Sequence, residues 1–210
     1  MTSKSPLEPL SPLGPHDPDL DIVRLAQRHA TRRVAMGVLY ERYRERVYNV
    51  ALRIVGTSDE ASDVLQDVFV LLFRKVHRFR ARAVFASWVY RITVNVSLDQ
   101  LRRRRRGPMP VGNSVVLDGL QESPDLTVPE RGAAQHDLER HIQVALATMS
   151  SRLRIVVVLR YLEGLSYADI ADVLGCSIGT VKSRLNRAHT ALRRALESRY
   201  GPPSPGVMPA

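Results

Sequence analysis

The sequence predicts an all-α protein of two small helical domains joined by a flexible linker. Apolar residues recur at helical rather than alternating spacing from Asp19 to Arg106, and again from His136 to Tyr200. Between them, Gly107, Pro108, Pro110, Gly112, Pro124 and Pro129 break any regular element over residues 107–135. A chain of 210 residues has room for two such domains.

Charge narrows the partners. With 31 Lys and Arg against 21 Asp and Glu, the net charge is +10 and the pI about 10.4. That balance points to a polyanion, either nucleic acid or an anionic membrane surface. No apolar run approaches the ~18 residues of a membrane span, and the N-terminus lacks a signal-peptide core. No membrane insertion and a cytoplasmic location are therefore expected. The single cysteine, Cys176, excludes an intrachain disulfide and any multi-cysteine metal site. A small packed residue and a redox sensor are its two readings.

Taken in order, residues 1–18 carry Pro6, Pro9, Pro12, Pro15 and Pro18 and few apolar anchors, and read as a disordered leader. The first domain, residues 19–106, opens with a helix from Asp21 to Ala30. A second helix spans Arg32 to Val55, with Tyr40, Tyr43, Val47, Val50, Ala51 and Ile54 as its apolar stripe. Gly56 ends it. Thr57 and Glu60 have the spacing of a capping box for the next helix, which runs to Val76. That helix buries Val64, Leu65, Val68, Leu72 and Phe69. Its other face shows Asp63, Gln66 and Asp67, an acidic strip that suits a protein partner or is merely solvated.

The stretch His77–Phe85 mixes Arg78, Arg80 and Arg82 with Phe79 and Phe85. Cations beside aromatic rings are the chemistry of single-stranded or distorted DNA, although both rings could equally be core. Ser87 is placed to cap a long helix with Trp88, Val89, Ile92 and Val96 inward. Arg91, Asn95, Asp99 and Arg102 fall near one outer line. Asn95 offers a base edge both a donor and an acceptor, while Asp99 could serve only as the partner of Arg103. The helix ends in five consecutive arginines, Arg102 to Arg106, suited to phosphate. The linker that follows turns acidic, with Asp118, Glu122, Asp125 and Glu130.

The second domain, residues 136–200, begins with a helix from His136 to Met149 carrying Leu138, Ile142, Ala145 and Leu146. Ser150 is placed to cap a helix through Leu162, with Ile155, Val158, Leu159 and Leu162 inward, and Gly164 closes it. Then comes the densest local signal in the chain. Ser166 and Asp169 form a capping-box pattern, Ile170, Ala171 and Leu174 point inward, and Gly175 sits where a helix ends left-handed. Ser177 caps a second helix with Thr180 at its third position. Val181, Leu185, Ala188 and Leu192 pack that helix, leaving Lys182, Ser183, Arg184, Asn186 and Arg187 free. This is a helix-turn-helix whose outer face carries donors for phosphates and major-groove base edges. Residues 201–210 are proline-rich and read as a disordered tail.

These motifs together resemble the bacterial RNA polymerase sigma factors of the extracytoplasmic-function (ECF) group, which keep only regions two and four. Leu39-Tyr40-Glu41-Arg42-Tyr43 resembles the start of region two, and Asp63-Val64-Leu65-Gln66-Asp67-Val68-Phe69 its polymerase-binding helix. Phe85-Ala86-Ser87-Trp88-Val89-Tyr90-Arg91-Ile92, with Asn95 and Asp99, resembles the element that melts and reads the −10 promoter element. Tyr161 to Tyr167 and Gly179 to Leu185 resemble the −35-reading region four. The chain departs from the common pattern at Asp67, where glutamate is usual, at Met149-Ser150, where Leu-Pro is frequent, and at His189, where arginine is frequent.

The resemblance implies a region-two helical bundle and a four-helix region-four domain. It implies that Asp63, Gln66 and Asp67 meet the β′ clamp of core polymerase, with the β flap as a second contact. Arg78, Phe79, Arg80, Phe85, Trp88, Arg91, Asn95, Asp99, Arg102 and Arg103 would meet the melted −10 element. Thr180, Lys182, Ser183, Arg184, Asn186 and Arg187 would meet double-stranded −35 DNA. The acidic linker would run toward the RNA exit channel, and relatives commonly have an anti-sigma factor as a partner. No catalytic residue, metal or cofactor is expected: the carboxylates are spread along helix faces and the six histidines have no ligand spacing.

Overall fold

The computed structural model describes residues 17, 19–80, 84–106 and 141–200. The predicted leader (Asp17 apart), linker and tail, the helix start at 136–140 and residues 81–83 lie outside the described residues. Eight helices are described: α1 (Leu20–Gln27), α2 (Arg32–Val55), α3 (Ser58–Lys75), α4 (Phe85–Arg106), α5 (141–147), α6 (Ser151–Val157), α7 (Tyr167–Leu174) and α8 (Ile178–Tyr200). A 3-10 turn, Val76–Arg78, follows α3. No strand occurs among the described residues.

In the N-terminal unit α2, α3 and α4 pack on one another, and α1 closes over α2. Val47, Val50, Ile54, Val64, Val68, Leu72, Phe85 and Val89 form its centre, each 0–1% exposed. Gly56 ends α2 at φ 102°, a left-handed conformation that disfavours a Cβ, which is why the chain turns there into α3.

Several local expectations are corrected. Tyr40 is exposed and lies edge-on against Phe69 at 4.7 Å, because it is displaced from the buried line of Leu39, Tyr43 and Val47. The Thr57 capping box does not form: the Thr57 hydroxyl donates to the Glu60 carboxylate at 3.0 Å instead of accepting from the backbone. Ser87 does not cap α4, which starts two residues earlier at Phe85 and buries Ser87 in its first turn. The cap comes from far away. Asp17 Oδ2 accepts the Phe85 N–H at 2.8 Å, and an anion there suits the positive end of the helix. Leu162 is exposed, because α6 loosens into a π-turn over Val158–Leu162 that rotates it outward.

Asp19, next to this cap, is 4% exposed and accepts from both Arg42 and the Tyr43 hydroxyl. Burial and the Asp19 carboxylate push the Tyr43 hydroxyl far above the usual tyrosine range, so it stays a donor. Asp19→Ala would leave that hydroxyl buried without its acceptor. The expected loss is about 2–4 kcal/mol of unfolding free energy by urea titration, with the unfolding slope unchanged.

The C-terminal unit, α5 to α8, does not stand apart. Its α6 touches α2, and its α7 lies on α4. The two helical units expected from the sequence also touch directly, and both contribute to one continuous set of buried side chains. Where they meet, Tyr90 of α4 donates to Glu163 after the π-turn, with Arg46 beside the pair. Burial raises the Glu163 carboxyl above its ordinary range, more than Tyr90 and Arg46 lower it. A raised carboxyl favours folding while protonated, and that contribution is lost as pH rises through the raised value. Glu163→Gln should therefore flatten the decline in melting temperature as pH rises above the ordinary glutamate range, relative to wild type.

Candidate nucleic-acid interface

The helix-turn-helix forms as its local chemistry dictates. Ser166 accepts the Asp169 N–H at 3.1 Å, and Asp169 accepts the Ser166 N–H at 3.2 Å, completing the reciprocal cap. Gly175 is left-handed at φ 60°, the conformation in which a side chain would be strained. Ser177 then accepts the Thr180 N–H at 3.1 Å to start α8. Ile170, Ala171, Val173, Val181, Leu185 and Ala188 fasten the pair, with Leu174 and Leu192 half-buried. The opposite face of α8 therefore projects Lys182, Ser183, Asn186 and Arg187 into solvent, with Thr180 and Arg184 half-buried at its edge. His189 is tied to the Tyr161 hydroxyl at 2.5 Å. Its ring is thereby held beside the π-turn of its own unit.

On α4 the exposed line is also as expected: Arg91, Asn95, Asp99, Arg102 and Arg103 all face outward. Asp99 pairs with Arg102 rather than Arg103, whose guanidinium reaches toward Asp67 at 3.9 Å. Exposed pairs of this kind contribute at most about 1 kcal/mol, so neither binds these groups away from a ligand. Arg78 and Arg80 are exposed before the helix.

The aromatic rings behave differently. Phe85 is 0% and Phe79 8% exposed, and they stack edge-to-face at 5.3 Å. Trp88, half-buried, lies 5.3 Å from Phe79 and 5.7 Å from Phe85, and Tyr43 completes the group. Phe79 and Phe85 are thus corrected from base-wedging groups to core: the ring cluster is what seats α4 against α2. Gln27 fixes the approach to it by donating to the Val76 and Phe79 carbonyls at 3.2 and 2.9 Å. Trp88 alone of the three keeps a partly open edge.

On α3, Asp63, Gln66 and Asp67 are exposed, as read from the sequence. The strip continues in Val70 and Phe73, 47% and 45% exposed, which the sequence reading missed. Their signal was present: Gln66, Val70 and Phe73 repeat at helical spacing off the buried line of Val64, Val68 and Leu72. An acidic strip ending in exposed apolar side chains is the composition of a protein-docking face.

Among the described residues no group of three or more His, Cys, Asp or Glu side chains is placed to hold a metal ion. No described helix is long and apolar enough to cross a membrane.

Two family profiles, Sigma-70 region 2 and Sigma-70 region 4, match residues 39–107 and 140–197 respectively. RNA polymerase sigma-H factor of Pseudomonas aeruginosa is 32% identical over 85% of this chain and 94% of its own. The ECF RNA polymerase sigma-E factor of Escherichia coli is 30% identical over 75% of this chain and 84% of its own. The chain belongs to the sigma-70 family. Within it, the relatives place it in the ECF group, and it is a sigma factor for transcription initiation that directs RNA polymerase to promoters. The fold agrees. CnrH, solved in complex with the cytosolic domain of CnrY, superposes with a TM-score of 0.65 over 87% of this chain and 99% of its own at 24% identity. The sigma factor RpoE of Bartonella quintana, solved with the anti-sigma factor NepR, gives 0.58 over 78% and 97%, also at 24% identity.

The exposed cationic and amide side chains of Arg91, Asn95, Arg102 and Arg103 and those of Lys182, Ser183, Asn186 and Arg187 lie on different helices of different units, α4 and α8. The acidic strip of α3 is a third exposed face, on the N-terminal unit.

Proposed function

We propose a division of labour in which each of these three faces has one partner. Asp63, Gln66 and Asp67, extended by Val70 and Phe73, dock on the β′ clamp of core polymerase. Arg78, Arg80, Trp88, Arg91, Asn95, Asp99, Arg102 and Arg103 meet the −10 element as its strands part, with Phe79 and Phe85 supporting them from the core. Thr180, Lys182, Ser183, Arg184, Asn186 and Arg187 read duplex DNA at the −35 element, and the same unit meets the β flap. The chain itself carries no catalysis; core polymerase supplies it. Solved relatives include an anti-sigma complex, which supports an anti-sigma factor as a further partner here. The cytoplasm is the compartment in which such partners meet.

The observation that carries this reading is the separation of charge. Cationic and amide donors occupy α4 and α8, whereas the exposed carboxylates of α3 would repel a phosphate backbone. The test is to add the chain to core polymerase with a library of genomic fragments and map the 5′ ends of the transcripts. Start sites sharing two upstream sequence elements at fixed spacing are expected only when both proteins are present. Start sites indistinguishable from those of core alone would contradict the reading.

A further inference from the structure

The connection between α3 and α4 is held at both of its ends by one short segment, Asp17 to Gln27. The Gln27 amide donates to the Val76 carbonyl at 3.2 Å and to the Phe79 carbonyl at 2.9 Å, so the 3-10 turn that leaves α3 is tied to α1. Asp17 engages the other end with both carboxylate oxygens. Oδ1 accepts the Asp19 N–H at 3.0 Å, and Oδ2 accepts the Phe85 N–H at 2.8 Å. The Asp17 carbonyl also accepts the Leu20 N–H at 3.2 Å, which locks the residue onto the start of α1. Asp19 in turn is fastened to Arg42 and Tyr43 of α2. Hydrogen bonds therefore run from α2 through Asp19 and Asp17 to Phe85, the first residue of α4. Both Asp17 and Gln27 lie before residue 39, where the region 2 match begins.

The first N–H groups of a helix have no partner within it, so what accepts them decides where the helix starts and how firmly its first turn is held. An anion at that position also meets the positive end of the helix. In α4 the turns that follow carry reading groups: Trp88 and Arg91 stand about one and two turns past Phe85. A first turn without its acceptor frays, and the fray reaches Trp88 and Arg91 before Arg102 at the far end. Asp17 does not act on DNA directly. A carboxylate repels phosphate, and both of its oxygens are taken by backbone N–H groups. We propose that Asp17 and Gln27 are positioning residues for the −10 element: the segment they bound is a brace that sets the start of α4, and with it the aim of Trp88, Arg91 and Asn95. This rests on the assignment of α4 as the −10 reader.

The test uses the full chain assembled with core polymerase, on a promoter recovered as above and on copies in which the −10 or the −35 element is substituted. Transcription from the parent promoter divided by that from each copy gives a preference for each element, read well below every variant's melting temperature. Asp17→Ala is expected to lower the −10 preference at least about threefold, the scale of a lost helix cap, while co-purification with core and the −35 preference stay at wild type. Gln27→Ala is expected to act in the same direction. Because both residues hold one junction, the double variant should lose less than the product of the two single losses. Asp17→Asn keeps an oxygen able to accept the Phe85 N–H and is expected to recover part of the loss. Equal falls in core binding and −35 preference would make the two residues merely structural and overturn the proposal. An unchanged −10 preference in both single variants, or no recovery in Asp17→Asn, would overturn it as well. Asn95→Ala separates the two ideas: if it leaves the −10 preference unchanged, the assignment of α4 fails whatever Asp17→Ala shows.

Discussion

Asp67→Arg is expected to abolish binding to core polymerase while leaving the helical fold intact. The side chain is 53% exposed, and its one described partner, Arg103, lies 3.9 Å away and is 72% exposed. Losing that pair changes stability by no more than about 0.5–1 kcal/mol. A docking partner loses more. Reversing a charge within a complementary patch replaces attraction with like-charge contact, which costs several kcal/mol, or a factor of at least about 100 in affinity. Co-purification with core, alongside an unchanged circular dichroism melt, checks both halves. The variant should emerge free of core; normal co-purification would remove Asp67 from the docking face.

Arg184→Ala is expected to lower transcription by about 5- to 100-fold at promoters with an intact −35 element, corresponding to roughly 1–3 kcal/mol for a lost bidentate base contact. Arg184 stands half-buried at the edge of the free face of α8, one position beyond Ser183, where the first turns of a recognition helix enter the groove. The decisive control is a template whose −35 element is scrambled. There the wild type and the variant should perform alike, because no base contact remains to be lost. An equal deficit on both templates would make Arg184 a phosphate or packing residue.

The helix-turn-helix was legible from the sequence because everything that shapes it is local. Ser166 with Asp169, Gly175, and Ser177 with Thr180 interact within three residues or act through their own backbone. The exposed line of α4 was legible for the same reason: periodicity alone separates Arg91, Asn95 and Asp99 from Val89, Thr93 and Val94. What escaped depends on distance along the chain. Asp17 caps α4 from 68 residues away, and Arg154 reaches Ile54 across 100. No local pattern specifies such bonds. At Thr57 the motif was present but the hydroxyl had a competing acceptor in Glu60, so spacing permitted the cap without forcing it. Phe79 and Phe85 carried two readings, core and base wedge, and only the packing of Tyr43 and Trp88 around them decides for core.

That core placement sharpens the function. The ring cluster beneath α4 seats the helix, so the backbone that carries Arg91 and Asn95 is in place before any partner binds. In the proposed division of labour this chain, bound to core polymerase, anchors on one duplex element and opens the strands at another. Footprinting of the complex on a recovered promoter tests it most directly, with nuclease for protected duplex and permanganate for unpaired thymines. Protection over the −35 element together with reactive thymines from the −10 element onward is expected only when chain and core are both present. Duplex protection by the chain alone, with no reactive thymines when core is added, would contradict it.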